Sequence, residues 1–198
     1  MSKMTERIAQ AFRESAALKE QFLKEHLQLV EQVSRALARV FDRGGKLILF
    51  GNGGSATDAS HLAAEFVNRF RLERPPLPAL ALNTDMAVLT SISNDYDYAD
   101  VFAKQLKALG QEGDMVLAIT TSGASPNVLR ALEVARRRRL TTVLFTGAKG
   151  KRLAQKVDFP FVVPSANTPR VQEVHITLGH VICQMVEEIL FEAPGNNS

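Results

Sequence analysis

The chain has 198 residues, enough for one domain with a substantial core, and its 45% apolar and 23% charged content is that of an ordinary soluble globular protein. No stretch approaches the ~20 apolar residues that span a bilayer, and MSKMTERIAQAF carries no hydrophobic signal core, so the expectation is a cytoplasmic protein with no membrane role. A net charge of +3 is too modest to argue for nucleic acid, and the lone Cys183 excludes an intramolecular disulfide.

Residues 4 to 42 contain no Gly or Pro and place apolar groups at helical spacing. Ile8 and Phe12 begin the pattern, and Phe22, Val30, Val33, Leu37 and Phe41 continue it. The pattern predicts two helices or one bent helix, closed by Gly44-Gly45. This arm (1–44) has to bury its apolar stripe on the unit that follows (45–198) or on another subunit.

From Lys46 onward short apolar runs alternate with segments of helical periodicity. The runs are KLILF, PALALN, MVLAI, TTVLFT and FPFVV. Continuous apolarity marks strands covered on both faces, as in a parallel sheet. The expectation is α/β: a doubly wound, flavodoxin-like, five-stranded parallel sheet with an N-terminal helical arm. Ligands in such folds bind beyond the carboxyl ends of the strands. Two of those ends are chemically distinctive, GNGGS after the first strand and TTSGAS after the third.

In the first of these, Gly51-x-Gly53-x-x-Ala56 fits a loose dinucleotide fingerprint. A ribose-holding acid should then end a strand roughly 20 residues later. That distance falls in FVNRFRLERPP, which is charged and broken by proline, so the dinucleotide reading weakens. The alternatives are a tight strand-to-helix turn and a loop whose backbone approaches another ligand. Ser55 suits a helix N-cap and Asp58 the first helical turn.

Thr120-Thr121-Ser122-Gly123-Ala124-Ser125 says more. Ser125-Pro126 reads as an N-cap followed by proline at the first helical position. Hydroxyls and amide donors gathered at the positive end of a helix make a phosphate cradle that needs no lysine. Such turns also occur as plain caps.

On the helix after the glycines, Ala59, Ala63, Phe66 and Phe70 share one face, while Asp58, His61 and Glu65 line another. His61 and Glu65 are four apart, and imidazole with carboxylate suits zinc or acid-base chemistry as well as a solvated face. The last helix, about Pro169 to Leu190, carries an apolar seam of Val171, Val174, Leu178, Val181 and Met185, and also Gln172 and His180. A core histidine is the default reading of His180, and His26 and His175 signal nothing further. The run Arg136–Arg139 reads as a solvated helix face.

GNGGSATDASHLAAEF, SNDY, ITTSGAS and RVQEVHITLGH together resemble the sugar isomerase (SIS) domain family, and within it the bacterial phosphoheptose isomerases. The resemblance covers nearly the whole chain. It implies an aldose-ketose isomerase that converts sedoheptulose 7-phosphate to D-glycero-D-manno-heptose 7-phosphate through an enediol, for lipopolysaccharide heptose. It also implies one zinc per subunit, a cytoplasmic location, and a homotetramer with active sites at subunit interfaces. By the same resemblance His61, Glu65, Gln172 and His180 are the metal ligands, and Glu65 and His180 the catalytic pair. Substrate contacts fall on Asn52, Gly53, Gly54, Ser55, Glu65, Asn94, Asp95, Thr120, Thr121, Ser122, Ser125 and Gln172.

Two departures qualify these expectations. Gln172 and His180 are eight residues apart, about 12 Å of helix rise, so one metal takes both only if side chains lean together, the helix start is irregular, or two subunits contribute. Some family members carry an acid just before the arginine at Arg170, and here Pro169 stands there. A competing resemblance is to the DnaA initiator-associating protein, a non-enzymatic SIS-domain tetramer that lacks the counterparts of Glu65 and His180. A hexose-phosphate isomerase on the same fold would keep the cradle without requiring the zinc set.

Overall fold

In the computed structural model, which describes residues 2–192, the five apolar runs all become strands of one parallel sheet. The order along the chain is α1 (Lys3–Asp42), β1 (Leu47–Gly51), α2 (Gly54–Val67), β2 (Ala79–Ala81), α3 (Met86–Asp95), α4 (Val101–Leu109), β3 (Met115–Thr120), α5 (Pro126–Arg137), β4 (Thr141–Gly147), α6 (Lys151–Ala154), β5 (Phe159–Val163) and α7 (Thr168–Phe191). The sheet order is β2-β1-β3-β4-β5, the flavodoxin-like arrangement. The last six residues of the 45–198 unit lie outside the described residues.

Alternate residues of each strand feed two cores. Leu47, Leu49, Leu117, Ile119, Phe145 and Phe161 pack under α1, α2 and α7. Ile48, Phe50, Val116, Ala118 and Leu144 pack under α4, α5 and α6. Both sets are buried, which is why the strands read as unbroken apolar runs. β2 spans only three residues of the PALALN run. It is an edge strand, and Pro78 just before it has no N–H to pair.

The arm is one helix of 40 residues, not two. Its C-terminal half buries Phe22, Val30, Val33, Leu37 and Phe41 on its own sheet and on α7, while Met4, Ile8 and Phe12 stay exposed. In α7 the seam is shifted from the expected one. Val181 is exposed, and Ile182, Cys183 and Val186 are buried instead. By length and hydropathy alone α7 could cross a membrane, contrary to the sequence expectation. Its packing against α1, α2 and β4 makes it the core helix of this fold.

His175 on α7 is fully buried beside Phe145. Burial lowers its pKa to about 4, and the Thr146 backbone opposes the shift only in part. The folded state therefore keeps this imidazole neutral while the unfolded chain takes up a proton near pH 6.5. Stability from this group is present at neutral pH, falls as pH drops from 6.5 toward 4, and levels off below. The loss should reach about 3 kcal/mol. Urea unfolding followed across this range should show that acid limb in the wild type and a flatter one in His175→Gln.

Candidate metal and acid-base centre

Parallel strands open all their following loops on one side, and the chain reverses its winding between β1 and β3. The loops after these two strands flank that crevice, the usual ligand site of the fold. Gly53 takes φ +57°, a left-handed conformation, and serves as the N-cap of α2. Ser55 is therefore not the cap expected from sequence but lies buried in the first turn. Asp58 falls in the second turn, and no acid occupies the first. The glycine turn starts the helix two residues earlier than a serine cap would.

The second loop is as expected at its end: Ser125 is the N-cap of α5 and Pro126 follows. The Ser125 hydroxyl makes no capping bond and sits 3.5 Å from Thr120 Oγ1. Thr120 Oγ1 also accepts the Gly123 N–H at 3.2 Å, and Ser122 Oγ accepts that of Ala124 at 3.2 Å. The Thr121 carbonyl accepts the Gly147 N–H, which ties the loop to the end of β4. Gly123 has φ +66°, and a Cβ there would run into the Gly150 backbone. The loop thus closes tightly, with the Thr120, Ser122 and Ser125 hydroxyls bonded within it.

Sequence reasoning missed the link between the two loops. Asn52 Nδ2 donates to Asn127 Oδ1 at 2.9 Å, and Asn127 Nδ2 donates back to Asn52 Oδ1 at 2.8 Å. The Tyr98 hydroxyl donates to the same Asn52 oxygen at 3.1 Å, bringing in the segment after α3. Asn94 and Asp95 close α3, both exposed, with the Asn94 amide donating to the Asp95 carboxylate. A dinucleotide site is not built. β2 ends without an acid, and Asn83 just beyond it spends its amide on Ala56 and Ser60.

Three of the expected metal ligands converge. His61 Nε2 lies 2.9 Å from His180 Nε2 and 3.2 Å from Glu65 Oε1, and the three ligand atoms all fall within 4.8 Å of one another. His61 and Glu65 meet as helix neighbours on α2. His180 arrives from α7 because Gly179 lets the two helices close up: a Cβ there would stand 2.6 Å from both methyls of Leu62. Burial, and then His61, hold the His180 pKa below its ordinary value, with Glu65 opposing. The neutral imidazole is the form that binds metal. Asp58 is also shifted, upward by burial against His61.

Two imidazoles and a carboxylate leaving further positions open is a donor set of catalytic zinc. Gln172 lies beside the start of α2, its amide 2.5 Å from where a Gly54 Cβ would be. α7 is a helix from Thr168 onward, so an irregular start does not shorten the 12 Å rise between Gln172 and His180.

Residues 10–147 match the SIS domain family. A phosphoheptose isomerase of Thermodesulfovibrio yellowstonii is 59% identical over 189 residues, covering 96% of this chain and 94% of that one. Solved phosphoheptose isomerases from Neisseria gonorrhoeae (36% identity, TM-score 0.87) and Francisella tularensis (34%, 0.88) share the fold. These alignments cover 94% and 95% of this chain and the whole of each of those chains. The chain therefore belongs to the SIS domain family and, within it, to the phosphoheptose isomerases. These three relatives carry an enzyme's name, which favours the isomerase resemblance over the non-enzymatic initiator-associating one.

The reciprocal Asn52–Asn127 pair is testable by stability. Asn127→Ala removes a buried partner and should lower the unfolding free energy by about 1–3 kcal/mol in urea denaturation. Tyr98→Phe, at an exposed ring, should change it by less than about 0.5 kcal/mol.

Proposed function

We propose that this chain isomerises sedoheptulose 7-phosphate to D-glycero-D-manno-heptose 7-phosphate, supplying lipopolysaccharide heptose, as a cytoplasmic, zinc-dependent homotetramer. The observation that carries the reading is the convergence of Glu65 with His61 and His180 in a chain of this family.

Moving the carbonyl from C2 to C1 requires a proton to leave C1 and another to arrive at C2, with an enediol between them. Glu65 and His180 fill these roles, within reach of one substrate edge. Thr120, Thr121, Ser122, Ser125 and the backbone of Gly53 and Gly54, with Ser55, hold the phosphate end. Their remote binding energy fixes C1 and C2 against the carboxylate. Asn52, Asn94, Asp95 and Gln172 contact the sugar between them. His61, Glu65 and His180 would hold zinc, which when bound polarises the carbonyl and stabilises negative charge on its oxygen.

Exposed apolar groups support assembly. Met4, Ile8, Phe12, Leu23 and Leu27 along α1 are each more than half exposed. A neighbouring subunit that covers them would also explain how Gln172 serves as a metal ligand, since a Gln172 from another copy escapes the 12 Å separation along one helix.

The decisive experiment follows exchange of substrate C1 and C2 protons with deuterated water. Wild type should exchange, and Glu65→Gln with zinc content measured alongside should lose at least ~10²-fold in turnover. Absence of exchange in the wild type, with Glu65→Gln changing nothing, would remove the isomerase reading. His61→Ala should lose most of the bound zinc.

The cradle is tested separately. Ser122→Ala and Ser125→Ala should each weaken sugar-phosphate binding by roughly 1 kcal/mol or more. Affinity for an unphosphorylated heptulose should stay unchanged; equal weakening there would show that the loop contacts another part of the sugar.

A further inference from the structure

Glu187 lies near the C-terminal end of α7, and its side chain and that of Arg74 are only 2% and 1% exposed. Its Oε1 accepts the Phe70 N–H at 2.9 Å and Arg74 Nε at 2.8 Å. Its Oε2 accepts the N–H groups of Arg71 at 2.8 Å and Leu72 at 3.1 Å. Burial would raise the pKa of this acid, but these donors outweigh it and hold the carboxyl below its ordinary value. Arg74 in turn donates from Nη2 to the Glu65 carbonyl at 2.8 Å and from Nη1 to that of Phe66 at 2.7 Å.

The two carbonyls belong to the last turn of α2, whose C=O groups have no partner within the helix. A guanidinium from the following loop caps them, with the charge sign a helix C-terminus favours. Glu187 lies seven residues beyond His180, two turns along the same side of α7. The Phe70 ring, on a backbone held by Glu187, lies 5.5 Å from the His180 ring. The pair therefore grips the helix end that carries Glu65 and the helix that carries His180, without touching either side chain.

We propose that Arg74 and Glu187 are a positioning pair that sets Glu65 against His180. The proposal rests on reading the His61, Glu65 and His180 cluster as a metal and acid-base centre. A buried ion pair is poor support for stability as such, because apolar residues of similar volume often replace one without loss. Its connections to the Glu65 carbonyl and to the backbone under Phe70 give it a different task. Loss of the cap frees the last turn of α2, and the Glu65 carboxylate then loses its fixed orientation to the two imidazoles.

The test uses the full chain. Zinc affinity is measured by competition with a chromophoric chelator, kcat and KM with sedoheptulose 7-phosphate at saturating zinc, and backbone hydrogen exchange over residues 68–75. Glu187→Gln and Arg74→Lys should weaken zinc binding by about 10- to 100-fold, the usual effect of losing a group that orients a ligand. They should lower kcat more than they change KM. Val186→Ala, a cavity at a buried neighbour, should lower the melting temperature while keeping zinc affinity and kcat. In the wild type, zinc should slow exchange at Phe70, Arg71 and Leu72, because coupling between two sites is reciprocal.

Zinc binding by the wild type with unchanged exchange at those amides overturns the proposal, whether or not the variants fold. So does a folded Glu187→Gln with wild-type zinc affinity and kcat, or a Val186→Ala that loses as much affinity as Glu187→Gln. A wild type that binds no zinc overturns the metal reading, and the proposal with it.

Discussion

All five strands run in one direction, and this constraint governs where everything else can be. Parallel pairing from Leu47 with Met115 to Gly51 with Ile119 brings β1 and β3 side by side and ends them at the same level. Their following loops, Gly51–Ser55 and Thr120–Ser125, must leave side by side, and the helices that follow pack on opposite faces of the sheet. The crevice between them is a product of winding direction rather than of any one side chain. The Asn52–Asn127 amide pair closes across it, and α7, packed on the same face of the sheet as α2, brings His180 to His61.

The sheet and its helices were legible because burial on both faces leaves a simple mark, the unbroken apolar run. The His61 and Glu65 pair was legible because neighbours four apart on a helix meet whatever the rest of the fold does. What escaped were partners far apart in the chain. Asn52 and Asn127 are separated by 75 residues and Arg74 and Glu187 by 113, and no local pattern predicts that they meet. Glu187 did leave a trace: a carboxylate in a buried stretch of helix has to find a partner, and FVNRFRLERPP offered several cations. The start of α2 was misplaced for the opposite reason, since serine is the common cap and only a left-handed glycine allowed an earlier one.

Chemistry and architecture are divided between two helices in a way that explains the polar content of α7. That helix is apolar enough to serve as the core, yet it carries His175, His180 and Glu187 at successive turns or pairs of turns. His175 is simply enclosed, neutral and away from solvent. His180 faces α2, where Gly179 has removed the bulk that would hold the helices apart. Glu187 collects backbone amides and a guanidinium. His180 and Glu187 thus answer to different neighbours, while neither ring nitrogen of His175 has a hydrogen-bond partner, and the helix is central to packing and to the site at once.

The length of α1 sets a scale of its own. Forty residues of helix extend about 60 Å, whereas a compact chain of this size has a radius of gyration of about 16 Å. A rigid rod longer than the body to which it is fixed must project past it. The projecting end carries Met4, Ile8 and Phe12, so its apolar surface is presented beyond the reach of its own sheet. Shortening α1 from its N-terminus would therefore leave the domain's interior almost untouched while removing the apolar surface of Met4, Ile8 and Phe12.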